Sequence, residues 1–226
     1  MPSKSSNLKL QAFFGNLGYR LKLLEETRAQ TDVFLSSRFN IFSFIEPDEN
    51  RLSDIIAALL NPKGAHGQGD KFLREFLKCV CGRTLPKVGS VAVQREDFTT
   101  FIKSDRRRMD ILVEMEDLAV AIENKPWARE QEDQVRDYIR HLHSRYGDRF
   151  IIVYLSATGC EPTSLQEKQK QELKAAGRLV CAAYNGHLRD WLELCVKESS
   201  SDKIRWFLRD FINFIEGEFS TVPVRL

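Results

Sequence analysis

The sequence predicts an α/β fold in which a mixed sheet of four or five strands is flanked by helices, with extra helices at both ends. Three observations predict it. The first third of the chain carries apolar residues at helical spacing, the middle third switches to two-residue alternation, and an apolar run, FIIVYL, follows the next helix. Helices, three strands, helix, strand, helix, strand and helices in that order pack naturally as a sheet between helical layers.

Each element has its own signal. Leu8 to about Ser37 is helical in spacing, with Leu21, Leu24, Thr31 and Phe34 among the spaced positions. Phe39–Ile45 is an apolar connector ended by Pro47. Leu52, Ile55, Ile56, Leu59 and Leu60 recur at i, i+3, i+4, i+7 and i+8 of an amphipathic helix that Asn61-Pro62 stops. A glycine-rich loop from Lys63 to Asp70 leads into a helix over about Lys71–Val80, which packs Phe72, Leu73, Phe76 and Leu77.

Val91–Phe98, Met109–Met115 and Leu118–Lys125 then alternate as strands, and Pro126 closes the third because it cannot extend a central ladder. A helix from about Arg129 to Tyr146 carries Val135, Tyr138, Ile139 and Leu142 on one stripe and ends at Gly147. Phe150–Leu155 is apolar on both faces, as a strand covered on both sides should be. A lysine-rich helix over about Ser164–Ala176, a strand over Leu179–Tyr184 and helices over about His187–Lys197 and Asp202–Glu216 complete the chain.

The 226 residues suit a single domain, divided into an N-terminal helical extension (1–45), a core (46–184) and C-terminal helices (185–226). A net charge of +2 is no footprint of non-specific DNA coating, so nucleic-acid affinity must come from a local patch or a metal. No apolar run approaches the roughly 20 residues of a membrane helix. The N-terminus lacks a continuous apolar stretch and a small-residue cleavage site, which predicts a cytoplasmic protein. Cys79, Cys81, Cys160, Cys181 and Cys195 are scattered without a CxxC pair, so buried free thiols are expected rather than zinc ligands or disulfides.

The chemistry concentrates in the middle strands. Period 2 puts Ala119, Ala121, Glu123 and Lys125 on one face of the third strand, so a carboxylate and an amine stand roughly 6.5–7 Å apart. With Glu116-Asp117 as a two-residue turn, Met115 pairs with Leu118 and Asp110 falls opposite Glu123, their Cβ atoms about 4.5–5.5 Å apart. Glu-Asp is not the Asn-Gly or Asp-Gly signal of a tight hairpin. Two facing carboxylates in a half-buried sheet repel each other, and a divalent cation resolves the conflict. Mg²⁺ takes oxygen ligands, commonly one or two carboxylates with waters and a phosphate. Taken alone, Glu123 and Lys125 read sooner as a solvated i, i+2 charge pair and Asp110 as a strand-end residue; their joint placement on one face, opposite each other, favours a site.

Asp110, followed after a turn by Glu123-Asn124-Lys125, resembles the D…(D/E)xK signature of the PD-(D/E)XK nuclease superfamily. The wider text resembles a bacterial and phage branch of it: ENRLSDIIAALLNP, His66-Gly67-Gln68-Gly69-Asp70, RRRMDILVE, AIENKPWA and Gln134-Val135-Arg136-Asp137-Tyr138. Met109 stands where the superfamily's name has proline. The resemblance implies a restriction-endonuclease-like core of order αβββαβ and a nuclease using Mg²⁺ or Mn²⁺. Asp110, Glu123 and the Asn124 main-chain carbonyl would ligate the ion, and Lys125 would position or deprotonate the attacking water. Gln134 and Tyr138 match the QxxxY element of RecB-like nucleases and would orient Lys125 or a phosphate.

Two further residues carry alternatives. Glu49 shares the inward face of Leu52 and Ile56, so it is either an additional acidic site residue or a first-turn carboxylate that complements the helix dipole. His66 is either a metal ligand, as RecB-like members often have ahead of the aspartate, or a loop residue that fixes the turn. Arg106-Arg107-Arg108 with Lys103 is either a phosphate grip or a charged loop tip. Trp127 is expected to be buried rather than to stack on a base. The apolar density of the last helix, from Ile204 to Ile215, is expected to be core, with a homodimer contact as the sharper alternative. The partner is expected to be nucleic acid, DNA before RNA, with a catalytically inactive DNA-binding or protein-interaction module as the rival.

Overall fold

The computed structural model describes residues 4–36, 38–85, 88–98, 108–127 and 133–220. The chain divides into two units, Met1–Asn40 and Ile41–Leu226. The first is built on one long helix, α1 (Lys4–Leu35). In the second unit Phe42 of the short helix α2 (Phe42–Ile45) stacks on Phe211 with ring centroids 4.9 Å apart.

In the second unit the expected mixed sheet has five strands in chain order: β1 (Val91–Phe98), β2 (Arg108–Met115), β3 (Ala119–Lys125), β4 (Phe150–Ser156) and β5 (Leu179–Ala183). The first three run antiparallel, and β3, β4 and β5 run parallel. Both faces are covered. Ile111, Val113, Val120, Ile122, Ile151 and Val153 face α3 (Glu49–Leu60), α4 (Lys71–Cys79), α7 (Arg189–Glu198) and α8 (Asp202–Glu218) in the larger apolar layer. Leu112, Ala119, Ala121, Ile152 and Tyr154 face α5 (Gln134–Tyr146) and α6 (Glu167–Ala175) in the smaller one. This double cover is why β3 and β4 are buried at every position.

Local chemistry sets the helix ends. Asp48 caps α3 by accepting the Arg51 N–H at 2.7 Å. The helix expected from Ser164 starts at Glu167, because Gln166 and Gln169 form a reciprocal cap. The helix expected from His187 starts at Arg189, because Asn185 and Gly186 take non-helical backbone angles in a kinked segment, Tyr184–Leu188, that buries Tyr184 and Leu188. The α5 start expected near Arg129 lies outside the described residues, and the described helix begins at Gln134.

The apolar density of α8 is used within its own unit. Leu208, Phe211, Ile212 and Ile215 are buried, and Phe207 and Phe214 pack around Phe42. Of the expected buried thiols only Cys81 and Cys195 are buried; Cys79 and Cys181 are half-buried and Cys160 is exposed. Among the described residues no helix is long and apolar enough to cross a membrane.

Candidate active site

The β2–β3 hairpin takes the register that the alternation predicts. The Met115 N–H donates to the Leu118 carbonyl at 2.9 Å across Glu116-Asp117. Ile111 then pairs with Ile122, Leu112 with Ala121, Val113 with Val120 and Glu114 with Ala119. A slip of one residue would turn both strands' large apolar residues onto the wrong layer, so the core enforces this register despite the unusual turn. Its continuation brings Asp110 to the end of β3, where Asp110 Oδ2 accepts the Asn124 N–H at 2.8 Å.

Lys125 is the point on which the acids converge. Its Nζ lies 2.6 Å from Glu49 Oε1, 2.8 Å from Glu123 Oε1 and 3.9 Å from Asp110 Oδ2. The Glu49 contact is a hydrogen bond. The Glu123 contact is a close ion pair that holds Oε1, and the buried Oε2 has no hydrogen-bond partner among the described residues. That carboxyl group is 1% exposed. Three carboxylates thus share one ammonium, and one of them is deep in the sheet.

The electrostatics follow from that crowding. Burial first, and then the neighbouring Asp110, push the Glu123 carboxyl up to about 8. Burial also raises Asp110, against the pull of Lys125 and of the Asn124 N–H. Burial alone would lower Lys125, but the carboxylates of Glu123 and Asp110 outweigh it and hold the ammonium above its ordinary range. Lys125 therefore stays charged at neutral pH. Among the described residues no three His, Cys, Asp or Glu side chains come together closely enough to hold an ion by themselves.

Ser53, Tyr184 and Arg95, not legible as site residues in the sequence, lock this arrangement together with the Asn124 side chain. Asn124 Nδ2 donates to Ser53 Oγ at 2.9 Å and to the Glu49 carbonyl at 3.3 Å. The Tyr184 hydroxyl donates to Asn124 Oδ1 at 2.7 Å. The Asn124 side chain thereby ties α3 and the turn after β5 to β3, and presents Glu49 to Lys125. Arg95 on β1 donates to the Asp110 carbonyl, to Asp54 Oδ1 at 2.8 Å and to the Asn50 carbonyl at 3.2 Å. One sequence signal was available: Ser53 is a polar residue beside Leu52 on the buried side of α3.

The remaining expected residues fall in different places. Gln134 Nε2 donates to the Tyr138 hydroxyl at 2.8 Å, and that hydroxyl donates to the Arg108 carbonyl at 2.6 Å. The pair therefore holds β2 two residues before Asp110, and its hydrogen bonds do not run to Lys125. His66 is not brought to the cluster. Its Nε2 contacts the Asn61 carbonyl at 2.8 Å and its Nδ1 accepts the Gln68 N–H at 3.0 Å, so Nε2 carries the proton. Asn61 ends α3, whose twelve residues from Glu49 span roughly 18 Å. Lys103, Arg106 and Arg107 lie outside the described residues, and Arg108 is exposed.

Trp127 is not buried. It is 49% exposed, its Nε1 donates to Glu218 Oε1 at 3.0 Å, and its ring leans on Phe219. It borders a cleft of about 540 Å³ that Lys125, Tyr154, Ser156, Cys160 and Glu161 also line. The cleft opens at the carboxyl ends of β3 and β4, where open α/β sheets place their ligands.

In comparisons with known proteins, a family model described as the PD-(D/E)XK nuclease superfamily matches residues 39–213. No curated protein and no solved structure matches the chain.

Proposed function

The chain belongs to the PD-(D/E)XK nuclease superfamily, and from that premise we propose that it is a cytoplasmic, Mg²⁺- or Mn²⁺-dependent nuclease that hydrolyses phosphodiester bonds in DNA through Asp110, Glu123 and Lys125. The observation that carries this reading is Glu123: a nearly fully buried carboxyl group whose Oε2 has no hydrogen-bond partner among the described residues, beside a second carboxyl and an ammonium. Stability gives no reason to keep such a group, whereas a cation and a phosphate do.

The donor set fits a hard divalent ion. Asp110 uses Oδ2 to accept the Asn124 N–H, Glu123 Oε1 meets the Lys125 ammonium, and Glu123 Oε2 has no hydrogen-bond partner among the described residues. With the Asn124 main-chain carbonyl these oxygens would hold the ion, which when bound acidifies a water and neutralises phosphate charge. His66 is left out of this set because both its ring nitrogens are engaged in the loop.

Lys125, held protonated, orients the attacking water by donating to it and stabilises the negative charge that develops on the phosphoryl oxygens. Glu49 accepts from Nζ and fixes where that charge sits. Tyr138 and Gln134 keep the Arg108 end of β2, and so Asp110, in register. The cleft beside Lys125 receives the nucleic-acid strand.

The test is digestion of supercoiled plasmid, single-stranded DNA and RNA with Mn²⁺ or Mg²⁺, against EDTA. Cleavage of DNA that EDTA abolishes is the expected result. Cleavage of RNA alone would move the substrate class, and no cleavage of any nucleic acid with either ion would overturn the enzymatic reading in favour of a binding module.

A further inference from the structure

Helix α1 is 32 residues long, which is about 48 Å, and between residues 9 and 34 none of its side chains is buried. Most helical stability in proteins comes from packing an apolar face. This helix also contains Gly15 and Gly18, which weaken it further. Five of its ten exposed large apolar residues nevertheless fall on one seam, with Phe13, Tyr19, Leu23, Val33 and Phe34 off it. Leu10, Phe14, Leu17, Leu21 and Leu24 follow one another at intervals of four, three, four and three residues, and each is 43% to 60% exposed. This is the a/d seam of a heptad repeat, with Phe14 and Leu21 at a and Leu10, Leu17 and Leu24 at d. Farther along, the seam positions are the polar Arg28 and Thr31, so apolar contact is concentrated over residues 10–24.

We propose that α1 pairs with α1 of a second copy of this chain as a parallel two-stranded coiled coil. The flanking positions select both the partner and the direction. In a parallel pair each g residue meets the e residue five places on in the partner. Arg20 then meets Glu25, Thr27 meets Asp32, and Phe13 meets Gly18, where the missing side chain leaves room for its ring. No like charges meet. In an antiparallel pair e would face e, and the charges at those positions, Glu25 and Asp32, are both acidic. A stripe that complements itself in this way suits a two-fold homodimer. Within the second unit, α8 packs Phe211, Ile212 and Ile215 against Phe42 and the sheet.

Sedimentation equilibrium of the full chain over a wide concentration range tests this. The wild type should weigh two copies. Leu17→Glu with Leu21→Glu should weigh one, while the melt of the sheet-containing unit stays where it was. Arg20→Glu should weaken the dimer by more than about tenfold, since it sets Glu against Glu, and adding Glu25→Arg should restore it. A single-copy wild type at every concentration, an assembly larger than two, a dimer indifferent to the two leucine substitutions, or a charge swap that fails to restore pairing would each overturn the proposal. None of these outcomes bears on the nuclease reading, because α1 lies outside the family match at residues 39–213.

Discussion

At its C-terminal end α3 runs into a loop where polar groups around the buried His66 answer one another, and at its N-terminal end it meets a cluster in which the buried Glu123 Oε2 has no hydrogen-bond partner among the described residues. In the loop the His66 ring bridges Asn61 and Gln68, Gln68 Nε2 donates to the His66 carbonyl at 2.9 Å, and Gln68 Oε1 accepts the Ser200 N–H at 2.9 Å. The backbone is drawn in so closely at Gly64 that a Cβ there would lie 2.7 Å from the Ala58 carbonyl oxygen. At the other end Glu49, Glu123 and Asp110 crowd one ammonium, and Glu123 Oε2 has no hydrogen-bond partner among the described residues. A saturated polar network is scaffolding, because every desolvated group recovers its lost water bonds. An unsaturated one is held at a cost that only a ligand removes.

The sharpest way to break this contrast is to remove one member of the cluster at a time. Lys125→Met and Glu123→Gln should each lower the cleavage rate by about 10²–10³ or more. Their melting temperatures without metal should part. Lys125→Met leaves buried carboxylates without their counter-charge and should cost roughly 3–5 kcal/mol. Glu123→Gln removes the uncompensated acid and should leave the melt unchanged or raise it. Equal destabilisation by the two would mean that Glu123 is an ordinary structural partner.

A smaller effect tests the other end. His66→Ala removes one of the two hydrogen bonds to the Asn61 carbonyl, which keeps the Gly64 N–H, and takes the ring acceptor from the Gln68 N–H, at a cost of about 1–3 kcal/mol. Chemical denaturation should read that loss, while cleavage per folded molecule stays at the wild-type level. Loss of cleavage at full stability would return His66 to the ion.

The smallest effect is in the pH dependence. The Glu123 pKa rises on folding from an ordinary 4.5 to about 8, so the native state keeps a proton that the unfolded chain has released. Its contribution to stability is therefore complete below 4.5 and is lost as pH climbs through about 8. A cation must displace that same proton. The rise in melting temperature caused by Mn²⁺ should grow across this window and level off above it. A rise independent of pH would show that Glu123 does not meet the ion.

Much of this was readable in the chain itself. Alternation identified three consecutive strands, and the need to keep Ile111, Val113, Val120 and Ile122 in one layer set the hairpin register. That register carried Asp110 to Glu123 and Lys125 without reference to any distant residue, and the helical period of α3 put Glu49 on the inward side. Such patterns are legible because they repeat every 2 or 3.6 residues, within the reach of local chain geometry.

The rest was decided between residues far apart in sequence. Tyr184 reaches Asn124 across 60 positions and Asn124 reaches the Glu49 carbonyl across 75. The expected reach of Gln134 to Lys125 became a clamp on β2, and Trp127 came to border a cleft, once the packing of α5 and α8 was in place. Residue type alone left His66 poised between ligand and scaffold; folding chose by filling both ring nitrogens. A sequence determines which side of an element a polar group occupies, but whether its bonds are completed depends on atoms that only the folded chain brings within about 3 Å.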